Sequence, residues 1–265
     1  MNDFWSPYAS LSASSRRLYG LAAIFGALLI WGALAASGTI SSNKLPAPWQ
    51  VLNAMSYLAW SNGHSILLNA TLWSAGRVAI AAMLVMAIGI PAGILMGSSP
   101  RINALFSPLI DPFRSAPIVA LLPILVMWFG IDEFMKIVFL FCGSVVYLVP
   151  MVRDAVLAVP QSYWVSARDL GATPAECIWK VIVPLAMPRI ADAIIVGISV
   201  MWTYITVAEY VNAREGLGQM IQNSKRFSAM DQVFAGIIVI IALALVTYQT
   251  MVWIKRKLYA WETFA

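Results

Sequence analysis

The chain has 265 residues, of which 61% are hydrophobic and only 11% are charged. Soluble domains carry roughly 45–50% apolar and 25% charged residues, so this composition excludes an ordinary soluble protein and predicts an integral membrane protein. The net charge of +5 does not indicate a nucleic-acid-binding protein, because the basic residues are scattered between the apolar segments and form no basic face. Membrane lipid and membrane orientation account for them better.

Six apolar segments predict an all-α membrane protein with six transmembrane helices in a single domain, residues 1–265. About 20 apolar residues in a helix cross a hydrocarbon core of ~30 Å. The predicted spans are residues 18–37, 66–97, 115–131, 134–152, 193–208 and 233–254. The N-terminal residues lack the order of a signal peptide, so the first span is expected to stay in the membrane.

Proline and amphipathic patterns add detail to the first three spans. Residues 51–60 predict a short amphipathic helix at the membrane interface. Residues 66–97 form either one tilted helix or an elbow followed by a shorter span that Pro91 kinks. Pro117 and Pro123 break the third span, and such breaks persist in lipid only where protein or a water-lined cavity satisfies the freed carbonyl groups.

The polar segment after the fourth span predicts a capped helical hairpin. Gly171 tolerates a positive φ, Thr173 is a good N-cap, and Pro174 suits the first helical position. Glu176 follows Thr173 by three residues, which completes a capping-box pattern. Pro184 is expected to end the second helix. A compact hairpin of this kind predicts a docking surface, and the alternative is a solvated loop without a partner.

The distribution of Lys and Arg predicts the orientation. With the N-terminus in the cytoplasm, eleven of the 17 basic residues lie on the cytoplasmic side and five on the outer side. The positive-inside rule therefore places both termini and the hairpin in the cytoplasm.

Motifs of enzymes are absent from the sequence. The chain has one histidine, His64, expected at the interface, and contains no H-E-x-x-H, no G-x-S-x-G and no P-loop. Cys142 and Cys177 are far apart and predict neither a disulfide nor a metal site. We therefore expect no catalytic residue and no metal, so uphill transport would need an ion gradient or a partner.

Two charged residues are predicted within the outer half of the spans, Arg77 and Glu209. An unpaired charge at that depth is costly, so an ion pair between them is expected. The pair is either structural or, if Arg77 faces a cavity, a feature that favours anions. Ion-coupled carriers usually keep ionisable groups deep in their spans, so this pattern favours a partner as the energy source.

The hairpin resembles the cytoplasmic EAA loop of permease subunits of ABC importers. The family pattern is E-A-A, three residues, Gly, nine residues, then I-x-L-P. Ala167, Gly171 and Pro184 match it in register, Val181 and Val183 are conservative replacements, and Val165 and Ser166 occupy the Glu and first Ala positions. Residues 89–97, 116–131 and 208–221 resemble the branch that imports nitrate, sulfonates, taurine, bicarbonate and similar small anions.

The resemblance implies a type I ABC importer permease fold with a cytoplasmic coupling loop at residues 160–190. It implies a bacterial inner-membrane subunit that works as a homodimer with two cytoplasmic ATPase subunits. A periplasmic or lipid-anchored substrate-binding protein would deliver a small anion. ATP and Mg²⁺ would be bound by the partners, and this chain would hold no cofactor. The alternative is an ion-coupled secondary carrier without an ATPase.

The resemblance and the hairpin together give candidate site residues. The expected ATPase-coupling residues are Ala167, Arg168, Asp169, Gly171, Thr173, Pro174, Glu176, Trp179, Lys180 and Pro184, with Trp179 or Ile178 as the apolar anchor. The candidate translocation-path residues are Pro117, Pro123, Arg77, Glu209, Trp202 and Tyr204. Packing kinks explain the prolines equally well, and aromatic residues in a span mainly pack. The segment 212–225 is expected to be a polar loop that either meets the binding protein or is a plain connector.

Overall fold

The computed structural model describes residues 12–60, 65–211 and 213–261, which fold into α-helices with short 3₁₀ and π segments and no strand. The prediction for His64 lies outside these residues. The α-helices are α1 (Ala13–Ala36), α2 (Pro48–Ala59), α3 (Ile66–Ser98), α4 (Pro100–Ile110), α5 (Leu122–Phe129), α6 (Glu133–Leu157), α7 (Gln161–Asp169), α8 (Pro174–Glu176), α9 (Val183–Tyr210), α10 (Leu217–Arg226) and α11 (Met230–Leu258).

Five helices among the described residues are long and apolar enough to cross a membrane: α1, α3, α6, α11 and the continuous helix Pro174–Tyr210. A sixth span exists only if the limbs Pro100–Arg114 and Ile118–Phe129, bent 98° apart, count as one. The break predicted at Pro117 is present as this bend, whereas Pro123 lies inside α5, and the span over residues 115–131 stays a prediction. Pro117 begins a 3₁₀ turn, and the eight residues of α5 extend only about 12 Å, too short for the hydrocarbon core.

The core of the bundle is formed by α3, α6 and α9. Helix α3 runs without interruption through Pro91, so residues 66–97 form one helix and not an elbow with a shorter span. A Cβ at Gly93 would lie 2.6 Å from Cβ of Val152, and one at Gly97 would lie 2.6 Å from Cβ of Val156. The two helices therefore approach closely because α3 presents glycines where α6 presents valines.

The helix after the hairpin differs from its prediction. Pro184 does not end it: α8 continues through a π-helical segment, Cys177–Ile182, directly into α9. Pro184 lies in the first turn of α9, where the wider π turn before it accommodates a residue that lacks an N–H group. The second helix of the hairpin and the following span are thus one helix of 37 residues, Pro174–Tyr210.

The helices α1 and α11 lie at the periphery of the single chain, where α1 is mostly exposed and α11 buries one side that includes Val233, Ala235 and Ile240. None of the most apolar stretch of α1 and only 6% of that of α11 is buried. Trp31 joins them to the bundle, since its indole N–H donates to the carbonyl oxygen of Pro46 at 3.0 Å and its ring stacks on Phe234 at 5.9 Å. Helix α2 confirms the predicted short amphipathic helix, with Val51 and Leu58 on its buried face.

Candidate functional site

The turn between α7 and α8 has the predicted capping geometry. Gly171 adopts φ = 88°, in the left-handed region that favours glycine. The backbone N–H of Glu176 donates to Oγ of Thr173 at 3.3 Å, and the N–H of Thr173 donates to Oε2 of Glu176 at 3.0 Å. This reciprocal capping box confirms the sequence prediction and fixes the start of the long helix.

Charged side chains add further contacts around the same turn. Nη1 of Arg168 donates to the carbonyl oxygen of Ala172 at 2.6 Å, and Nζ of Lys180 lies 2.8 Å from Oε1 of Glu176. All of these contacts lie within the loop. They order the turn while leaving its outer surface open.

Large apolar side chains project from this ordered turn. Trp179 is 57% exposed and Leu170 is 89% exposed, whereas Cys177 and Ile182 of the same segment are buried. Of the two alternative anchors predicted, Trp179 is exposed and Ile178 is half-buried. Sequence reasoning missed Leu170, although an apolar residue directly before a positive-φ glycine at a helix end is a recognisable signal. The loop therefore combines a rigid turn with exposed apolar side chains.

The remaining predicted coupling residues lie on the same segment. Asp169, Pro174 and Pro184 are exposed, and Ala167 is half-buried. All ten predicted positions thus fall between the start of α7 and the first turn of α9. Their role in contacting an ATPase stays a prediction.

A buried charge cluster lies at the other end of the bundle, which the charge distribution predicts to be the outer end. Arg77 of α3 is 3% exposed and Glu209 of α9 is fully buried. Nη1 of Arg77 donates to Oε1 of Glu209 at 2.6 Å and to the carbonyl oxygen of Glu215 at 2.8 Å. The expected ion pair is present, and it joins α3, α9 and the segment before α10.

Further hydrogen bonds tie the Glu209 carboxylate to the start of α10. Oγ of Ser74 donates to Glu209 Oε1 at 2.8 Å, and the N–H of Gly218 donates to Oε2 at 2.7 Å. Gly216 has φ = 126°, and a Cβ there would lie 2.5 Å from the carboxylate. Every oxygen of this buried anion therefore has a donor, as a buried charge requires.

Sequence reasoning missed two members of the cluster, Glu133 and Lys136 in the first turn of α6. Nε and Nη2 of Arg77 donate to Oε2 and Oε1 of Glu133 at 2.5 and 2.9 Å, which makes a bidentate pair. Nζ of Lys136, 2% exposed, lies 2.8 Å from Oε1 of Glu133. The spacing of three residues on one helix face was the available signal. The cluster contains two cations and two carboxylates and is charge-balanced.

The other candidate path residues are not part of this cluster. Pro117 and Pro123 lie exposed on the bent segment that contains α5. Trp202 is 5% exposed within the packed core, because it lies on the side of α9 that is buried in the bundle. Tyr204 is half-buried and packs edge-on against Phe139 at 5.7 Å. The described residues therefore bring together Arg77 and Glu209 and leave the prolines on an open surface.

The segment expected as a polar loop contains a helix, α10. Its residues Leu217, Met220 and Ile221 are buried at a spacing of three and four, which gives one apolar face. Gly236 of α11 has no side chain where Ile221 packs, since a Cβ there would lie 2.6 Å from Cγ1 of Ile221. Asn212 lies outside the described residues.

Comparisons with known proteins agree with this architecture. Residues 89–259 match the family described as binding-protein-dependent transport system inner membrane component. The chain is 35% identical over 240 residues to the taurine transport system permease protein TauC of Escherichia coli (strain K12), which covers 89% of this chain and 86% of that protein. It is 29% identical over 238 residues to the putative aliphatic sulfonates transport permease protein SsuC of Bacillus subtilis (strain 168), covering 89% and 84%.

A solved structure supports the fold. A chain of the MetNI methionine ABC transporter in an inward-facing conformation superimposes with a TM-score of 0.63 at 21% identity, covering 80% of this chain and 97% of that one. This likeness confirms the expected type I importer permease fold and says nothing of cargo. The family match covers more than half of the chain, and the TauC relative exceeds 30% identity over most of both proteins. The chain therefore belongs to the binding-protein-dependent transport system inner membrane components, and it is a permease subunit of an ABC importer.

Proposed function

We propose that this permease forms the membrane path of an ATP-driven importer for a small sulfonate-type anion. The observation that carries the proposal is the 35% identity to the taurine permease over nearly the whole of both chains. The aliphatic sulfonate permease points to the same class of cargo. In this assembly two copies of the chain pair as a homodimer, two cytoplasmic ATPase subunits bind it, and a separate substrate-binding protein delivers the anion.

The hairpin is the proposed contact with the ATPase. The exposed side chains of Leu170 and Trp179 supply apolar anchors, and the capped turn holds them in one arrangement. The helix Pro174–Tyr210 has 37 residues and is therefore about 55 Å long. A movement of the hairpin is carried along this helix to Glu209 at the opposite end. Closure of the ATPase dimer thus becomes a rigid-body movement of the permease.

The bent segment around α5 is the proposed lining of the path. Pro117 and Pro123 are exposed in the single chain, and so are Met127 and Trp128 of the same segment. A second copy of the chain that covers this apolar surface would enclose a path between the two bent segments. Within the membrane, broken helices are stable where they line such a protein-enclosed cavity.

The ion-coupled carrier remains the second candidate, and the geometry of Glu209 disfavours it. A proton-carrying carboxylate must exchange its proton during transport, whereas Glu209 is held by Arg77, Ser74 and the N–H of Gly218. Proton exchange at Glu209 would require these bonds to break, because all three partners donate to the carboxylate oxygens. The carboxylate is therefore structural in this proposal.

Uptake by the reconstituted complex tests the proposal. The permease is placed in liposomes with its ATPase and binding protein, and accumulation of taurine and methanesulfonate is measured with and without ATP. We expect ATP-dependent accumulation that vanadate abolishes and that requires the binding protein. Accumulation by the permease alone, driven by an ion gradient, would contradict the proposal and favour the carrier.

The orientation has a separate test. A reporter that fluoresces only in the cytoplasm, fused after the last residue, should be bright, and a reporter active only in the periplasm should be inactive there. The reverse pattern would place the hairpin on the outer side and exclude the ATPase contact.

A further inference from the structure

The half of the charge cluster at Glu133 differs from the half at Glu209. The side chain of Glu209 is fully buried, whereas that of Glu133 is 46% exposed. Glu133 lies in the first turn of α6, and its two described partners, Arg77 and Lys136, are 3% and 2% exposed. The two buried cations are therefore paired with a carboxylate that is itself partly exposed in the single chain.

The charges of the cluster define what replaces that carboxylate. With Glu133 in place, Arg77 and Lys136 are balanced by two anions. When the Glu133 side chain swings outward, Arg77, Lys136 and Glu209 together carry a single positive charge. One monoanion restores the balance, and a dianion exceeds it. The vacated position presents Nε and Nη2 of Arg77, a planar pair of donors suited to two oxygens of one anion.

The Glu133 side chain has room to rotate outward, whereas the Glu209 side chain does not. The Glu133 side chain is 46% exposed in the single chain, so it can turn outward without passing through packed residues of this chain. Glu209, in contrast, is enclosed by Gly216 and Gly218, whose Cβ positions would lie 2.5 and 2.8 Å from it. The exchangeable anion is therefore Glu133, and the fixed anion is Glu209.

We propose that Arg77 and Lys136 form a monoanion site of the permease, in which a sulfonate or carboxylate group displaces Glu133 as the counter-ion. This inference rests on the proposed import of a small anion and assigns it a contact within the membrane domain. The tethered Glu133 competes with the cargo, so binding in the wild type is weak and reversible. Weak binding is what a transport path requires, because cargo must leave as well as enter.

A charge-neutral variant of Glu133 exposes the site. The complete complex with its ATPase is placed in nanodiscs, and its thermal unfolding midpoint is measured while methanesulfonate replaces gluconate at constant ionic strength. In Glu133→Gln the competitor is gone, and we expect a saturable stabilisation with an apparent affinity roughly 10–100-fold tighter than in the wild type. That range corresponds to a Glu133 carboxylate that occupies the site about 90–99% of the time.

Two matched variants control for charge and for general salt effects. Asp132→Asn removes a neighbouring carboxylate that makes no side-chain bond to the helix end, and it should titrate like the wild type. The double variant Glu133→Gln with Lys136→Gln leaves Arg77 balanced by Glu209, and it should lose the tight response. If Glu133→Gln titrates like Asp132→Asn, or if the double variant binds equally tightly, the proposed site does not exist.

If Glu133→Gln folds poorly, its recovery in the two buffers still tests the proposal. If the variant is recovered in methanesulfonate and lost in gluconate, the anion has replaced Glu133 and the proposal is supported. Loss in both buffers overturns it. ATP-driven uptake by the wild type does not depend on this titration, so a negative result here alongside normal uptake removes the anion site and leaves the importer.

Discussion

Replacing Glu209 with glutamine tests the buried charge cluster most directly. The carboxylate accepts from Arg77 at 2.6 Å through Oε1 and from Gly218 at 2.7 Å through Oε2, and Ser74 donates to it as well. Glutamine has one acceptor oxygen, so its amide group must face either the guanidinium or the backbone N–H of Gly218. Both are donors. The variant therefore loses the ion pair and leaves a buried donor unsatisfied.

The expected cost follows from the burial of both partners and from the excess positive charge left in the cluster, since Arg77 and Lys136 are then balanced by Glu133 alone. Removing one member of a buried ion pair typically costs about 3–5 kcal/mol, much of it from the charge left behind. By the scaling of soluble domains of comparable length, this lowers the midpoint of thermal unfolding by roughly 6–20 °C. The measurement is fluorescence-detected unfolding of the purified permease complex in nanodiscs.

Glu215→Gln is the matched control for this substitution. The Glu215 side chain accepts from Nδ2 of Asn69 at 2.8 Å in an exposed contact that glutamine also makes. Its carbonyl oxygen, which accepts from Arg77, is unchanged. We expect a change within about 0.5 kcal/mol, as for other exposed sites. A Glu209→Gln variant as stable as Glu215→Gln would refute the assignment of a buried, structural ion pair.

Three further predictions address the charge cluster, the helix packing and the hairpin. The double variant Arg77→Glu with Glu209→Arg should have the same low expression level and unfolding midpoint as the single variants, because the new glutamate would face Glu133. Recovery of wild-type values would mean that Arg77 and Glu209 form an isolated pair. Gly93→Ala should lower the stability of the fold by about 1–3 kcal/mol because its Cβ would meet Val152, whereas Gly76→Ala on the same helix meets nothing within 4 Å and should leave the stability unchanged. Equal unfolding midpoints for the two variants would contradict the close packing of α3 and α6. Gly171→Asp should abolish ATP-driven uptake while the protein still inserts into the membrane, since a side chain at φ = 88° costs about 1–3 kcal/mol and disturbs the turn. Gly38→Asp, also at positive φ, is the control, and normal uptake by Gly171→Asp would refute the docking role of the hairpin.

Local rules predicted the hairpin well because its geometry depends on neighbouring residues. Thr173, Pro174 and Glu176 determine the cap within four positions of the chain, and the structure has the expected bonds. The continuation of the helix through Pro184 could not be predicted from the same rules. A proline ends an isolated helix, but here a π turn and the burial of α9 against α6 carry the helix past it.

The features at the outer end that the sequence did not predict depend on contacts between residues far apart in the chain. The pair Arg77–Glu209 was predictable because two isolated charges in apolar spans must find partners. Glu133 is separated from Arg77 by 56 positions and follows the broken third span, so nothing local linked the two. Helix α10 was missed because Gly216 and Gly218 indicate turns. In the structure these glycines are required by the carboxylate of Glu209, which occupies the space of their side chains.

One continuous helix joins the two candidate sites, and this has a consequence for the proposed importer. Its hairpin end is fixed by a capping box, and its other end holds Glu209, which is bound to Arg77 of α3 and to the start of α10. A displacement of the hairpin therefore moves α9 together with α3 and α10 unless those bonds break. Breaking the Glu209 pair leaves a buried charge, whereas the Glu133 side chain is already 46% exposed. In each transport cycle we therefore expect the side-chain contact between Arg77 and Glu133 to break before the contact between Arg77 and Glu209.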